Sequence, residues 1–364
     1  AGTVAGTSFN GIPFFSDAGN ASMYTANVSA TDSTAIQNTG YGFTSLDAVT
    51  TGDRNTAIGF DAGTAINTGA DNTIVGNAAG DALTSGSFNV AIGKSALSTE
   101  DATGRNVAVG YAALETQNAG SDAYNVAVGY DAGNDITTGI RNTLIGGLAG
   151  DALQEGARNV AVGYLALSTE DEFGRNVAVG HQTLATQNTS SDAYNVAVGY
   201  NTGTAVTTGI KNTLIGGLAG DALTTGVENT AIGYFALSTE DTGNYNVAIG
   251  KGALAVLNFD GNGYNTAVGY NAGTNVSTGK ENTLVGGQAG DSLTTGEKNV
   301  ALGKSALGSE DTGSRNVAIG NGALQSLNFD GTGYNVAVGY DAGVSMTTAV
   351  ENTIVGGQAG DAIT

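Results

Sequence analysis

Asn125-Val-Ala-Val-Gly-Tyr-Asp-Ala-Gly133 is the stretch that decides the fold. Three apolar residues, two of them β-branched, follow an Asn and end at a Gly, the signature of a short strand closed by a corner. The motif Asn-[Thr/Val]-[Ala/Ile/Leu]-aliphatic-Gly opens at Asn55, Asn72, Asn89, Asn106, Asn125, Asn142, Asn159, Asn176 and Asn195 and continues to Asn335 and Asn352, eighteen copies in all. The spacings run 17, 17, 17 and 19 residues and then repeat, so four coils, A to D, make a 70-residue superunit. A Gly in every coil, and a second in most, would cost about 1 kcal/mol each inside helices. The reading is therefore all-β: a parallel β-solenoid of about twenty 17–19-residue coils whose strands stack at about 4.8 Å, roughly 95 Å in all.

Counting each coil from its Asn as position one, like residues should form ladders. The position-one Asn predicts a side-chain amide ladder. Position four, aliphatic in all eighteen copies, is expected to form the inward apolar spine, faced by the small residue at position eight, Ala in sixteen. Gly at position five, as at Gly59, Gly76, Gly93, Gly110 and Gly129, fits a corner needing positive φ or close backbone approach. Coils A and B place an aliphatic residue at position twelve (Ile66, Leu83); coils C and D move it to position nine (Leu97, Leu114) and leave Glu100 and Gln117 at twelve.

The phase extends backward through Asn38, a degenerate coil D, to Asn20, where Val28 to Asp32 aligns with Leu97 to Asp101 as a degenerate coil C. Residues 20–364 are thus read as solenoid, with degenerate coils at 20–54 and regular repeats at 55–364. Residues 1–19 hold the sole proline, Pro13, beside Phe9, Phe14 and Phe15 and read as a cap or docking segment. The last coil, from Asn352 through Ile354 to Ile363, stops short of completion. An open row of backbone groups over a bare core predicts head-to-tail joining there, coil B to coil C, with the N-terminal aromatics as a clasp.

Composition narrows the function. With no Cys and one His, nucleophilic and metal chemistry have few residues to use, no cofactor or metal ligand set is assigned, and the chain reads as non-enzymatic. The net charge of −21 disfavours nucleic acid and anionic membranes, and no apolar run is long enough to span a bilayer. The coil C tracts Ser98-Thr99-Glu100-Asp101, Ser168 to Asp171, Ser238 to Asp241 and Ser309 to Asp311 read as solvated corner charge rather than paired catalytic carboxylates. Gly146 to Asp151 loosely matches calcium-binding nonapeptide rolls but lacks their nine-residue period. His181 reads as a surface substitution. The tyrosines Tyr130, Tyr164, Tyr200, Tyr270 and Tyr340 at position six leave two readings open, corner packing or an exposed stripe for glycans or neighbouring fibres. Asn20, Asn27, Asn188 and Asn275 stand in glycosylation triplets.

On the residues of Asn125 to Gly133 and of Asn55-Thr-Ala-Ile-Gly59, the chain resembles the repeat shafts of bacteriophage tail fibres and the heads of trimeric autotransporter adhesins. The resemblance implies a β-roll or solenoid, often homotrimeric, projecting from a virion or cell to touch a surface. The 17/17/17/19 scheme departs from the shorter period of adhesin heads. Three functions follow as expectations: a self-assembling fibre subunit or shaft, extracellular or on a virion; an adhesin or tail fibre binding a surface glycan; and an ice-binding solenoid.

Overall fold

The computed structural model describes residues 7–9, 12–17, 22–25, 34–102 and 104–364, and divides into two compact units, residues 1–176 and 177–364. The described residues form strands and turns with no helix. In the first unit β1 (Thr7–Phe9) and β2 (Ile12–Asp17) form an antiparallel hairpin, and β2 pairs antiparallel with β3 (Ser22–Tyr24). From β3 onward the pairing is parallel: β3 to β4 (Thr39–Tyr41), β4 to β5 (Thr56–Ile58), and so on to Val160–Val162. The second unit repeats the arrangement from Val177–Val179 to Thr353–Val355. The fold is a parallel β-solenoid, and each three-residue strand pairs with the same position one coil later, as in Ala127 opposite Leu144.

One expectation about the core is reversed. Position four does not point inward: Ile58 is 40% exposed, while Ala57 at position three is fully buried. Side chains alternate along a strand, and the Asn at position one is buried in nearly every coil. That parity puts position three inside with it and positions two and four outside. The core is therefore built from positions three, eight, nine and twelve, and its volume is balanced between coils. Coils A and B carry Gly at nine and a buried aliphatic at twelve, such as Ile136 and Leu153. A methyl on Gly133 would lie 2.7 Å from Leu144 Cδ1 and 3.0 Å from Leu114 Cδ2, so neighbouring coils already fill that space. Coils C and D put Leu at nine with φ of 47–54°. The left-handed conformation costs such a residue about 1–2 kcal/mol, and burying its side chain returns about 2 kcal/mol.

The start of the stack is also shifted. Met23 pairs with Thr39 and Tyr24 with Gly40, and the backbone N–H of Asn38 donates to Ser22 Oγ at 3.1 Å. Ser22 therefore holds the ladder position, two residues later than the expected Asn20. Asn20, Asn27 and the Val28 to Asp32 segment lie outside the described residues.

Candidate functional site

The Asn ladder runs through side chain and backbone together. Each Oδ1 accepts the backbone N–H of the Asn one coil later: Asn55 from Asn72 (3.1 Å), Asn72 from Asn89 (2.9 Å) and Asn89 from Asn106 (3.0 Å). The series continues at Asn106 and Asn125 (3.1 Å), Asn125 and Asn142 (2.8 Å), Asn142 and Asn159 (2.9 Å), and Asn159 and Asn176 (3.0 Å); Asn195 begins it in the second unit. In coils A and B the Nδ2 closes the coil by donating to the carbonyl fourteen residues on, Asn55 to Gly69 and Asn142 to Gly156, both at 2.8 Å. One side chain thus pairs backbone groups in two coils that would otherwise be buried unsatisfied.

Position-five glycines meet both demands of a corner. Gly59, Gly76, Gly93, Gly110 and Gly129 have φ of 138–148°, and a methyl on Gly129 would sit 2.3 Å from the carbonyl oxygen of Gly146 in the next coil. No L side chain fits that contact without moving backbone.

The acidic tract of coil C differs from its sequence reading. Glu100, Glu170, Glu240 and Glu310 are fully buried at position twelve, where coils A and B carry aliphatics. Glu240 Oε1 accepts the N–H groups of Gly243 (2.7 Å) and Asp241 (3.1 Å), and Oε2 that of Phe259 in the following coil (3.3 Å). Glu310 repeats this with Gly313 (2.7 Å), Asp311 (3.2 Å) and Phe329 (3.3 Å). Burial pushes both carboxyls up, against these backbone donors, which pull them down. The carboxylate goes inside because the turn offers N–H groups that an aliphatic residue would orphan.

Coil B carries a second series at position ten. Burial raises Asp81, Asp221 and Asp291, and pushes Asp151 up to about 6, with Asp135 and Asp131 adding repulsion. Among the described residues, no group of three or more His, Asp or Glu is arranged to hold a metal ion.

The outward face combines three features. Positions two and four present Val, Ile and Thr in parallel register along each unit, for example Val196 and Val198 beside Thr213 and Ile215. Eight of the twelve Lys and Arg residues, among them Arg54, Arg105 and Lys211, directly precede the ladder Asn, a row that the apolar and Gly periodicity of the repeat does not reveal. Three of these cations pair with acids one coil on, Arg54 with Asp71 at 2.6 Å, Lys211 with Glu228 at 3.1 Å, and Arg105 with Asp122, while Lys298 pairs one coil back with Glu281 at 3.9 Å. Being exposed, such pairs are screened by solvent and contribute little to stability. The position-six rings stand exposed, with Tyr130 stacked on Tyr111 at 5.2 Å and Tyr200 on His181 at 5.3 Å. His181 Nδ1 also lies 3.4 Å from Asn201 Oδ1.

Phe9, Pro13, Phe14 and Phe15 fall on the antiparallel strands: Phe9 opposite Ile12, Pro13 opposite Ser8, Phe14 opposite Thr7 and Phe15 opposite Tyr24. At the last strand Ile354 is buried, Val355 is 70% exposed, Ile363 is exposed, and Asn352 Nδ2 donates to Val350 O at 2.9 Å. No helix among the described residues is long and apolar enough to cross a membrane. The chain matches no family model, no curated protein and no solved structure.

Proposed function

We propose that the chain is a non-enzymatic structural protein, the shaft subunit of an extracellular or virion-borne fibre, which self-associates through its outward strand face. The observation that carries this reading is the parallel aliphatic row at positions two and four. In the second unit eleven strands in sequence present it. At about 4.8 Å per strand and about 10 Å of width, that is on the order of 500 Å² of Val, Ile and Thr surface per copy. Two such faces meeting would bury about 1,000 Å², the lower bound for a specific interface. A continuous apolar patch of that size on an acidic protein favours a partner of its own kind, as a homotrimer or another side-by-side bundle.

The ice-binding alternative has less support. Thr137, Thr207, Thr224 and Thr294 donate their hydroxyls to carbonyls one coil on, at 3.0–3.2 Å, so the first hydroxyl of each of these Thr-Thr-Gly corners is spent on the fold. Position two mixes Thr and Val in uneven runs and offers no uniform hydroxyl array. Analytical ultracentrifugation tests the fibre reading: a concentration-dependent multimer that Val198→Glu with Ile215→Glu dissociates supports it, and a monomer at all concentrations refutes it.

A further inference from the structure

Four of the five regular A coils carry a tyrosine at position six, Tyr130, Tyr200, Tyr270 and Tyr340, and the first carries Phe60. Their rings are 55–59% exposed, nearly the same value at each 70-residue step. One face is backed in three of the four. Tyr130 stacks on Tyr111 (5.2 Å, 9° between planes), Tyr200 on His181 (5.3 Å, 19°), and Lys251 Nζ sits 5.9 Å from the Tyr270 centroid. The other face looks toward the next coil, where position six is Gly147, Gly217, Gly287 or Gly357 and supplies no side chain. A methyl placed on Gly287 would meet no atom within 4 Å, while one on Gly147 or Gly217 would meet the ring of Tyr164 at 3.6 Å or of Tyr234 at 3.5 Å, so at those two sites the gap is bounded by a further ring one coil on. The residue after each tyrosine is Asp131, Asn201, Asn271 or Asp341, held at φ of 50–53°, and its side chain turns toward the preceding coil, as in Asn201 Oδ1 3.4 Å from His181 Nδ1.

We propose that these four tyrosines are binding platforms for an uncharged polysaccharide, each taking one sugar ring on its open face. The apolar C–H face of a pyranose suits an aromatic ring that is backed on one side and open on the other. The charge of −21 repels polyanionic glycans. Successive platforms in the second unit are four coils apart, about 19 Å, so a ligand of repeated units engages several at once. A protein partner fits them less well: each platform offers one open ring face about 19 Å from the next, whereas a stable protein interface needs about 800 Å² per partner. The rings lie past the Gly corner, outside the strand residues on which the proposed self-association rests, and the inference stands without that association.

The test is co-sedimentation of the full chain with microcrystalline cellulose and with chitin, affinity electrophoresis through galactomannan, and sodium alginate as the anionic comparison. Wild type is expected to be retained by at least one neutral polymer and not by alginate. Replacing Tyr130, Tyr200, Tyr270 and Tyr340 together by Ala should lower affinity on the order of a hundredfold, and each single change severalfold, as lost multivalency requires. The matching four-site change at Tyr124, Tyr194, Tyr264 and Tyr334 should leave retention intact, and circular dichroism should show every variant folded. Retention by no neutral polymer, equal retention by alginate, or an unaffected four-site variant would each overturn the proposal. So would a four-site variant that alters only the chain's own oligomeric state, which would assign the row to contacts between copies.

Discussion

Asn212 Oδ1 accepts the backbone N–H of Asn229 at 2.9 Å, and Asn229 Nδ2 in turn donates to the carbonyl of Gly243 at 2.7 Å. The Oδ1 link recurs along each unit, and where Nδ2 also closes the coil, as at Asn55, Asn142 and Asn229, one side chain ties strand register to coil closure. Replacing Asn229 by Leu keeps its backbone N–H bond to Asn212 but removes the Nδ2 bond to the Gly243 carbonyl and the Oδ1 that accepts the Asn246 N–H at 2.9 Å, leaving those two backbone groups buried without partners, at about 1–3 kcal/mol each. The expected loss is therefore about 2–6 kcal/mol, read as a lowered midpoint in guanidinium unfolding. Thr73→Ala, on the outward face, should change stability by less than about 0.5 kcal/mol.

The corner glycines set the second expectation. At Gly129 an added side chain meets the Gly146 carbonyl and a φ of 148° together. Gly129→Val should cost about 3 kcal/mol or more, while Ala132→Gly, at a buried position that needs no positive φ, should cost about 1 kcal/mol. Thermal melts of the two variants give the order directly, and equal melting temperatures would contradict the corner geometry.

Glu240 tests whether a buried carboxylate is structural. Glu240→Leu fills similar volume but orphans the N–H groups of Gly243 and Phe259, and should destabilise by about 2–4 kcal/mol. Glu240→Gln retains an acceptor oxygen and should cost about 1 kcal/mol. If Leu proved as stable as Gln, the backbone bonds would not be the reason for the buried Glu.

Stability should rise as pH falls from neutrality. Burial holds Glu240, Glu310, Asp81, Asp151, Asp221 and Asp291 above their ordinary values, so the folded state binds protons more tightly than the unfolded chain does. Groups of this sign contribute stability that is fully present below the unfolded value and lost as pH rises through the folded one. For Asp151 the window runs from about 6 down to the ordinary carboxylate range near 4. Asp71 acts in the opposite direction, its carboxyl lowered by the Arg54 hydrogen bond, but at a fully exposed site. Melting temperature is expected to increase between pH 7.5 and pH 5, with a shallower slope in Asp151→Asn.

The architecture was legible because its signal is periodic: an Asn and a Gly four residues apart, returning every 17 or 19 residues, admit few folds. Which side of the strand faces the core was not. Positions two, three and four are all apolar in Val126-Ala127-Val128, so hydrophobicity gives no parity, and the largest side chains appeared to belong inside. The buried Asn supplies the parity, and a polar residue is a poor marker of a core until its hydrogen bonds are known. Glu100 and its counterparts were misread for the same reason, since a carboxylate in a Gly-rich turn looks solvated when its backbone donors are unseen. Ser22 replaced Asn20 in the ladder because a hydroxyl accepts the same N–H that an amide does.

The fibre account is tested most directly by electron microscopy of the purified full chain combined with diffraction from aligned samples. It predicts multi-chain fibres whose axial repeat is about 4.8 Å, the coil spacing. Single, unassociated particles at every concentration would contradict it.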